Sequence, residues 1–269
     1  MGGFENATPG VLVVMALMIG PVLYYIRVAR RRKDLYVRRL AGVDAIDEAA
    51  GRSAELGRPL SFSTGLTNVS PVLYACLGVL YYVARKAAQY RLRLLVPQNT
   101  PEVMAIAEDV LREAYRAEGR SAQFDPRNVR FLSEEQFAFA AGYIGMVQRE
   151  RVAGAFLFGN FAAESLILAE AGQQVGAMQV GASVSPEQVA FFIAACDYTL
   201  IGEELFAASA YLTREPVQLG SLYGQDRAKL VLLLMILVGV GIATLNSLWP
   251  ELGLTNLGTL MHLGWGVGS

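Results

Sequence analysis

Histidine is almost absent from this chain of 269 residues: His262, near the C-terminus, is the single one. A histidine-dependent catalytic triad or metal cluster is therefore excluded from the body of the sequence. Cysteine is nearly as scarce. Cys76 and Cys196 lie far apart in apolar surroundings (YACLG and AACDY) without a disulfide or metal spacing, and read as buried, reduced thiols. No GxxxxGKS/T phosphate loop occurs, and no GxGxxG follows a strand-like segment. The net charge of −1 supplies no global field to recruit nucleic acid. These absences lean away from an enzyme and call for no cofactor and no metal.

Apolar residues are abundant, at 54% of the chain, with a mean hydropathy of +0.36. That exceeds the proportion usual for a soluble domain. Two uncharged runs, Asn6–Ile26 and Leu230–Pro250, are each long enough to cross about 30 Å of hydrocarbon as a helix. Tyr24, Tyr25 and Trp249 stand at their ends, as interfacial aromatics do, and Pro21 is tolerable within such a helix. Arg outnumbers Lys heavily, and the basic residues are placed unevenly. Arg27, Arg30, Arg31, Arg32 and Lys33 follow the first run, and Arg227 and Lys229 precede the second. Both basic flanks face the intervening segment, which is expected to be cytoplasmic, with both termini exported. The first run lacks a basic n-region and a small-residue cleavage site, so it reads as a retained anchor. The lipid bilayer is then the first expected partner.

A third uncharged stretch, Phe62–Ala84, is not read as a span. Its strongly apolar part starts only after Ser70-Pro71 and covers about 14 residues, short for a crossing. A crossing there would also leave Arg227 and Lys229 on the wrong side. It is expected to be a buried helix.

Between the runs, short apolar segments alternate with helical lengths: Pro59–Ser63, Arg91–Val96, Val129–Ser133, Ala153–Phe158, Ala177–Ser183, and Tyr198–Gly202 as a sixth. That alternation is the signature of βα repeats around a parallel sheet. Ser70-Pro71, Thr100-Pro101 and Ser185-Pro186 each set an N-cap before a proline at the first helical position. Ser133 with Gln136, and Ser185 with Gln188, match capping boxes. The fold expected is α/β: a Rossmann-like, doubly wound, mostly parallel sheet of five or six strands with a transmembrane helix at each end. The division expected is 1–27 anchor, 28–58 basic segment and cover helix, 59–226 cytosolic domain, 227–250 second anchor, and 251–269 exported tail.

Ligands of open parallel sheets bind outside the carboxyl ends of the strands. The candidates there are Thr64, Asn68, Asn99, Asn160, Glu164, Ser183, Asp197, Glu203 and Glu204, in small or polar loops where helix amides could hold an anion. Asp197, Glu203 and Glu204 stand in an otherwise apolar stretch, and Glu164 opens a helix. Helix-terminal acids explain them more simply than acid–base chemistry does. Ala140–Met146, Glu164–Gly172, Val189–Cys196 and Leu205–Leu212 are helical pieces with few charges, suited to packing subunit on subunit.

Arg38–Pro59, Phe161–Gly172, Ala195–Pro216 and Gly220–Asp226, with CDYTLIGEEL the most specific stretch, resemble an uncharacterised family of bacterial membrane proteins. The resemblance spans about Tyr36 to Val240. It implies an α/β domain of unknown function flanked by transmembrane helices, and no mechanism. The function expected is a scaffold or subunit of a homo-oligomeric or larger membrane assembly. Gly239–Ser247 offers small residues for close helix approach. The alternative is a module binding a nucleotide or other small molecule at the strand ends.

Overall fold

The computed structural model describes residues 9–31 and 41–249. The chain divides into two compact units, residues 37–214 and a helical unit of residues 1–36 with 215–269.

The larger unit is α/β. Its strands are β1 (Leu60–Gly65), β2 (Leu94–Gln98), β3 (Val129–Phe131), β4 (Gly154–Asn160), β5 (Met178–Ser183) and β6 (Tyr198–Ile201). They form one sheet in the order β3-β2-β1-β4-β5-β6, with every pairing parallel. Its helices are α2 (Ala41–Leu56), α3 (Pro71–Tyr90), α4 (Pro101–Ala117), α5 (Gln136–Glu150), α6 (Glu164–Gln174), α7 (Pro186–Ala195) and α8 (Glu204–Thr213). The expected six segments are all strands, and the strand order reverses between β1 and β4.

Alternation along the strands sorts the core into two layers. Leu94, Val96, Phe62, Phe156 and Phe158 pack with α2, α3, α4 and α8, and the Phe62 and Phe158 rings stack at 5.6 Å. Leu95, Ala155 and Leu157 face the other way and pack with Phe139 and Tyr143 of α5 and Phe192 of α7. The central strands are buried on both faces, which is why they read as continuous apolar runs. Burial also settles the third uncharged stretch: α3 carries Leu73, Cys76, Val79, Leu80, Val83 and Ala87 inside the core.

Helix starts follow the local chemistry in part. Pro71, Pro101 and Pro186 all occupy the first helical turn, and the Ser70 and Thr100 hydroxyls accept from Leu73 N and Val103 N. Ser185 caps α7 by position alone, without a side-chain bond. Neither capping box forms: α5 is capped at Glu135, which puts Gln136 at the first helical position and bonded to Glu164, and Gln188 of α7 accepts from Ser165 instead. The Ser133 hydroxyl instead accepts from Glu135 N.

The helical unit pairs α1 (Pro9–Arg31) with α9 (Pro216–Leu248). Both are long and apolar enough to cross a membrane. Gly220 lies against the backbone of Ile26 and Gly224 against that of Val22, where an added Cβ would stand 2.5 Å and 2.3 Å from a Cα. This small-xxx-small pair brings the backbones together, and Tyr25 stacks on Tyr223 at 6.2 Å. The contact uses Gly220 and Gly224; Gly241, in the expected stretch Gly239–Ser247, has nothing within 4 Å. Arg27, Arg30, Arg31 and Arg227 are exposed, while Arg32, Lys33 and the tail after Trp249 lie outside the described residues.

Candidate functional site

The carboxyl edge of the sheet is where the strand order points, and three loops meet there. Thr64 ends β1 and donates its hydroxyl to Gln98 Oε1 of β2 at 2.5 Å. The Thr67 hydroxyl donates to Thr64 O and accepts from Asn160 N at 2.7 Å, while Leu66 N donates to Asn160 O. The loop after β1 and the loop after β4 are thus bonded directly to each other at the point of strand reversal. Their approach depends on two glycines. A Cβ on Gly65 would stand 2.5 Å from Asn160 O and the Phe161 ring, and one on Gly159 2.3 Å from Thr64 O. Phe161 is itself buried against Phe192. These contacts lie at the place where other doubly wound sheets hold a ligand.

The N-terminus of α6 is likewise bonded within the chain. Glu164 is fully buried; its carboxylate accepts from Ala162 N at 2.9 Å and from Gln136 Nε2 at 2.6 Å. A carboxylate of the chain takes the position an anion would need at the positive end of this helix. Beside it, the Ser165 hydroxyl donates to Gln188 Oε1 at 2.6 Å.

The remaining candidates scatter. Ser183 is buried and accepts from Ser185 N, as Ser63 accepts from Gly65 N at the end of β1. Asn68 and Glu203 are exposed. Glu204 accepts from Ile201 N at 3.0 Å, an acid at its own helix start. Asp197 belongs to the opposite edge: its carboxylate accepts from Gln179 N, near the beginning of β5. It cannot join Glu203 and Glu204 in one site. Among the described residues no three His, Cys, Asp or Glu side chains converge as for a metal ion. Both thiols are free; burial raises Cys76, and burial with the Asp197 charge pushes Cys196 up to about 12. Neither is a nucleophile near neutral pH.

Gln98 and Thr67 escaped sequence reasoning. Gln98 Nε2 is buried without a hydrogen-bond partner at the end of β2, as is Oδ1 of the candidate Asn99. Thr67 is the hub of the loop lock. A threonine in a βα loop carries no distinctive spacing, so only the fold exposes its role.

Charge completes the picture. The strand-to-helix segments and the first helical turns after them carry Glu102, Glu134, Glu135, Glu164, Glu187, Glu203 and Glu204, and neither Lys nor Arg. Among the described residues they offer an anionic ligand no side-chain cation.

The family model of a domain of unknown function, DUF6754, matches residues 2–252. The chain belongs to this family. The DUF6754 match runs beyond Tyr36–Val240 at both ends and takes in both long apolar helices, α1 and α9. No curated protein and no solved structure matches.

Proposed function

We propose that this DUF6754 chain is a membrane-anchored subunit of an assembly built from copies of itself. The observation that carries the reading is an uncovered apolar face on the neighbouring helices α6 and α7. Ile193 is 58% exposed and Phe191 39%, beside Ala190 and Ala194; Leu166 and Ile167 are exposed on α6. After Glu187, α7 has no charged residue, and it is apolar on its outer as well as its inner side. A helix apolar all round belongs in an interior. After Glu187 the outer side of α7 carries no charge that would repel its own copy across a two-fold interface. Anchoring by α1 and α9 in one bilayer would hold copies at high effective concentration and in the same orientation.

A nucleotide- or anion-binding role has less support. The loops at the strand reversal are bonded to each other through Thr67, Glu164 stands at the start of α6, and among the described residues the strand-to-helix segments and first helical turns carry no Lys or Arg.

Native mass spectrometry of the detergent-solubilised protein tests the assembly reading. The expected species are discrete multiples of the 29.1 kDa chain. Ile193→Glu would bury an unpaired carboxylate in the interface, costing about 2 kcal/mol or more, which is a loss of roughly thirtyfold in association. A stable monomer in mild detergent, or a variant that associates as the parent does, contradicts the proposal.

A further inference from the structure

The amino edge of the sheet, where helices end and strands begin, reverses the charge of the carboxyl edge. Arg58, Arg91, Arg93, Arg120, Arg127 and Arg151 stand in the helix-to-strand segments, against Glu118, Asp125 and Asp197, so the basic residues outnumber the acidic ones by six to three. Helix dipoles account for part of this, since every crossover helix points its negative end at this edge. They do not account for the backbone. Arg91 (φ 57°, ψ 38°) and Arg151 (φ 49°, ψ 55°) are held in the left-handed region, where a Cβ is strained, as is Arg214 (φ 52°, ψ 29°) at the end of α8. Helices α2, α4 and α6 stop in the same conformation with Gly57, Gly119 and Gly176, the residue that this turn prefers. Arg58 helps to hold the strained turn, donating its guanidinium to the carbonyls of Arg151, Val152 and Val175.

Arg91 and Arg151 are exposed at the starts of β2 and β4, on either side of β1. Among the described residues neither has an ion-pair partner, although Arg85, Arg93, Arg112, Arg116, Arg127 and Arg130 all do. Arginine holds a backbone that favours glycine at three helix ends, and the unpaired guanidinium groups of Arg91 and Arg151 point to a role for the side chain beyond the turn.

We infer that Arg91 and Arg151 are retained for their charge, and that the amino edge docks on anionic phospholipid headgroups. The inference rests on the membrane anchoring proposed above. A guanidinium binds a phosphate through two parallel hydrogen bonds. For a domain tethered to a bilayer, the anionic leaflet is the polyanion at highest local concentration.

The test uses the full chain in nanodiscs of phosphatidylcholine alone or of an equal mixture with phosphatidylglycerol. Amide hydrogen exchange is read around residues 90–94 and 150–154. Exchange is expected to slow severalfold in the anionic discs, and the slowing to vanish in high salt and in the R91G/R151G double variant. Glycine suits both backbones, so the variant should keep or raise the parent's melting temperature, which separates lost docking from lost folding. Equal exchange in both discs, or slowing that survives R91G/R151G, overturns the inference. Slowing by polyglutamate but not by phosphatidylglycerol assigns the edge to an acidic protein and also overturns it. A chain that does not enter discs of either lipid refutes the anchoring itself, and that is read separately by co-elution.

Discussion

Gly159 shows at the scale of one residue how closely two loops of the carboxyl edge approach. Its φ of 150° and the 2.3 Å separation of an added Cβ from Thr64 O leave room for no side chain. Gly159→Ala must break the Thr67–Asn160 lock or distort β4, at a cost of about 2–4 kcal/mol. Chemical denaturation of the variant checks this, and an unchanged midpoint would show that the loops are not locked. Gly241, with open space around it, marks the contrast between a glycine required by contact and one that is not. Glutamine tells a related story. Ser133–Gln136 and Ser185–Gln188 have the spacing of capping boxes, yet Gln136 and Gln188 reach across to Glu164 and Ser165 instead. A buried carboxylate and a buried hydroxyl need partners more than a solvated helix amide does. Local spacing could not reveal that competition.

Among the elements, the pairing of α1 with α9 has a register that hydropathy does not give. Gly220 against Ile26 and Gly224 against Val22 fix an antiparallel alignment. Extended along α9, it brings Arg227 and Lys229 alongside about Ile19 and Leu17. The two basic collars are therefore offset by about eight to ten residues, roughly 12–15 Å at 1.5 Å per residue. Exposed long side chains such as Arg227 can bridge part of that offset by extending toward the interface. Gly224→Leu would force the helices apart. A disulfide between Tyr25→Cys and Tyr223→Cys, formed readily in the parent background, is expected to fall at least tenfold in the Gly224→Leu background and to persist with Gly241→Leu. Equal cross-linking in both would refute the small-residue contact.

In the whole molecule, every residue of both core clusters lies between Val43 and Ala208, inside the unit of residues 37–214. That unit has its own sheet and two buried layers, which is what independent folding requires. Expressed alone, it is expected to be soluble and to unfold in one cooperative transition by circular dichroism. A fragment lacking tertiary packing would mean that the long helices are part of its core. The polarity of charge also belongs to this scale. In a parallel α/β sheet all crossover helices start at one edge and end at the other. Acids favoured at N-termini and arginines at C-termini therefore collect on opposite edges. Each residue obeys a local rule, and the topology sums them into a domain with an acidic edge and a basic one.

The α/β class, the six strands and the two long apolar helices were determined by periodicity, prolines at helix starts and run length, because these depend on neighbours along the chain. The lone histidine and missing phosphate loop likewise set limits without a structure. What only the tertiary structure decided depends on neighbours in space. It placed Asp197 on the edge opposite Glu203 and Glu204, tied the loops after β1 and β4 together through Thr67, and chose Gly220 and Gly224 for the helix contact. It also left Arg91 and Arg151 strained and unpaired at one edge. Sequence spacing fixes which face of an element a residue occupies, while packing determines what that face meets.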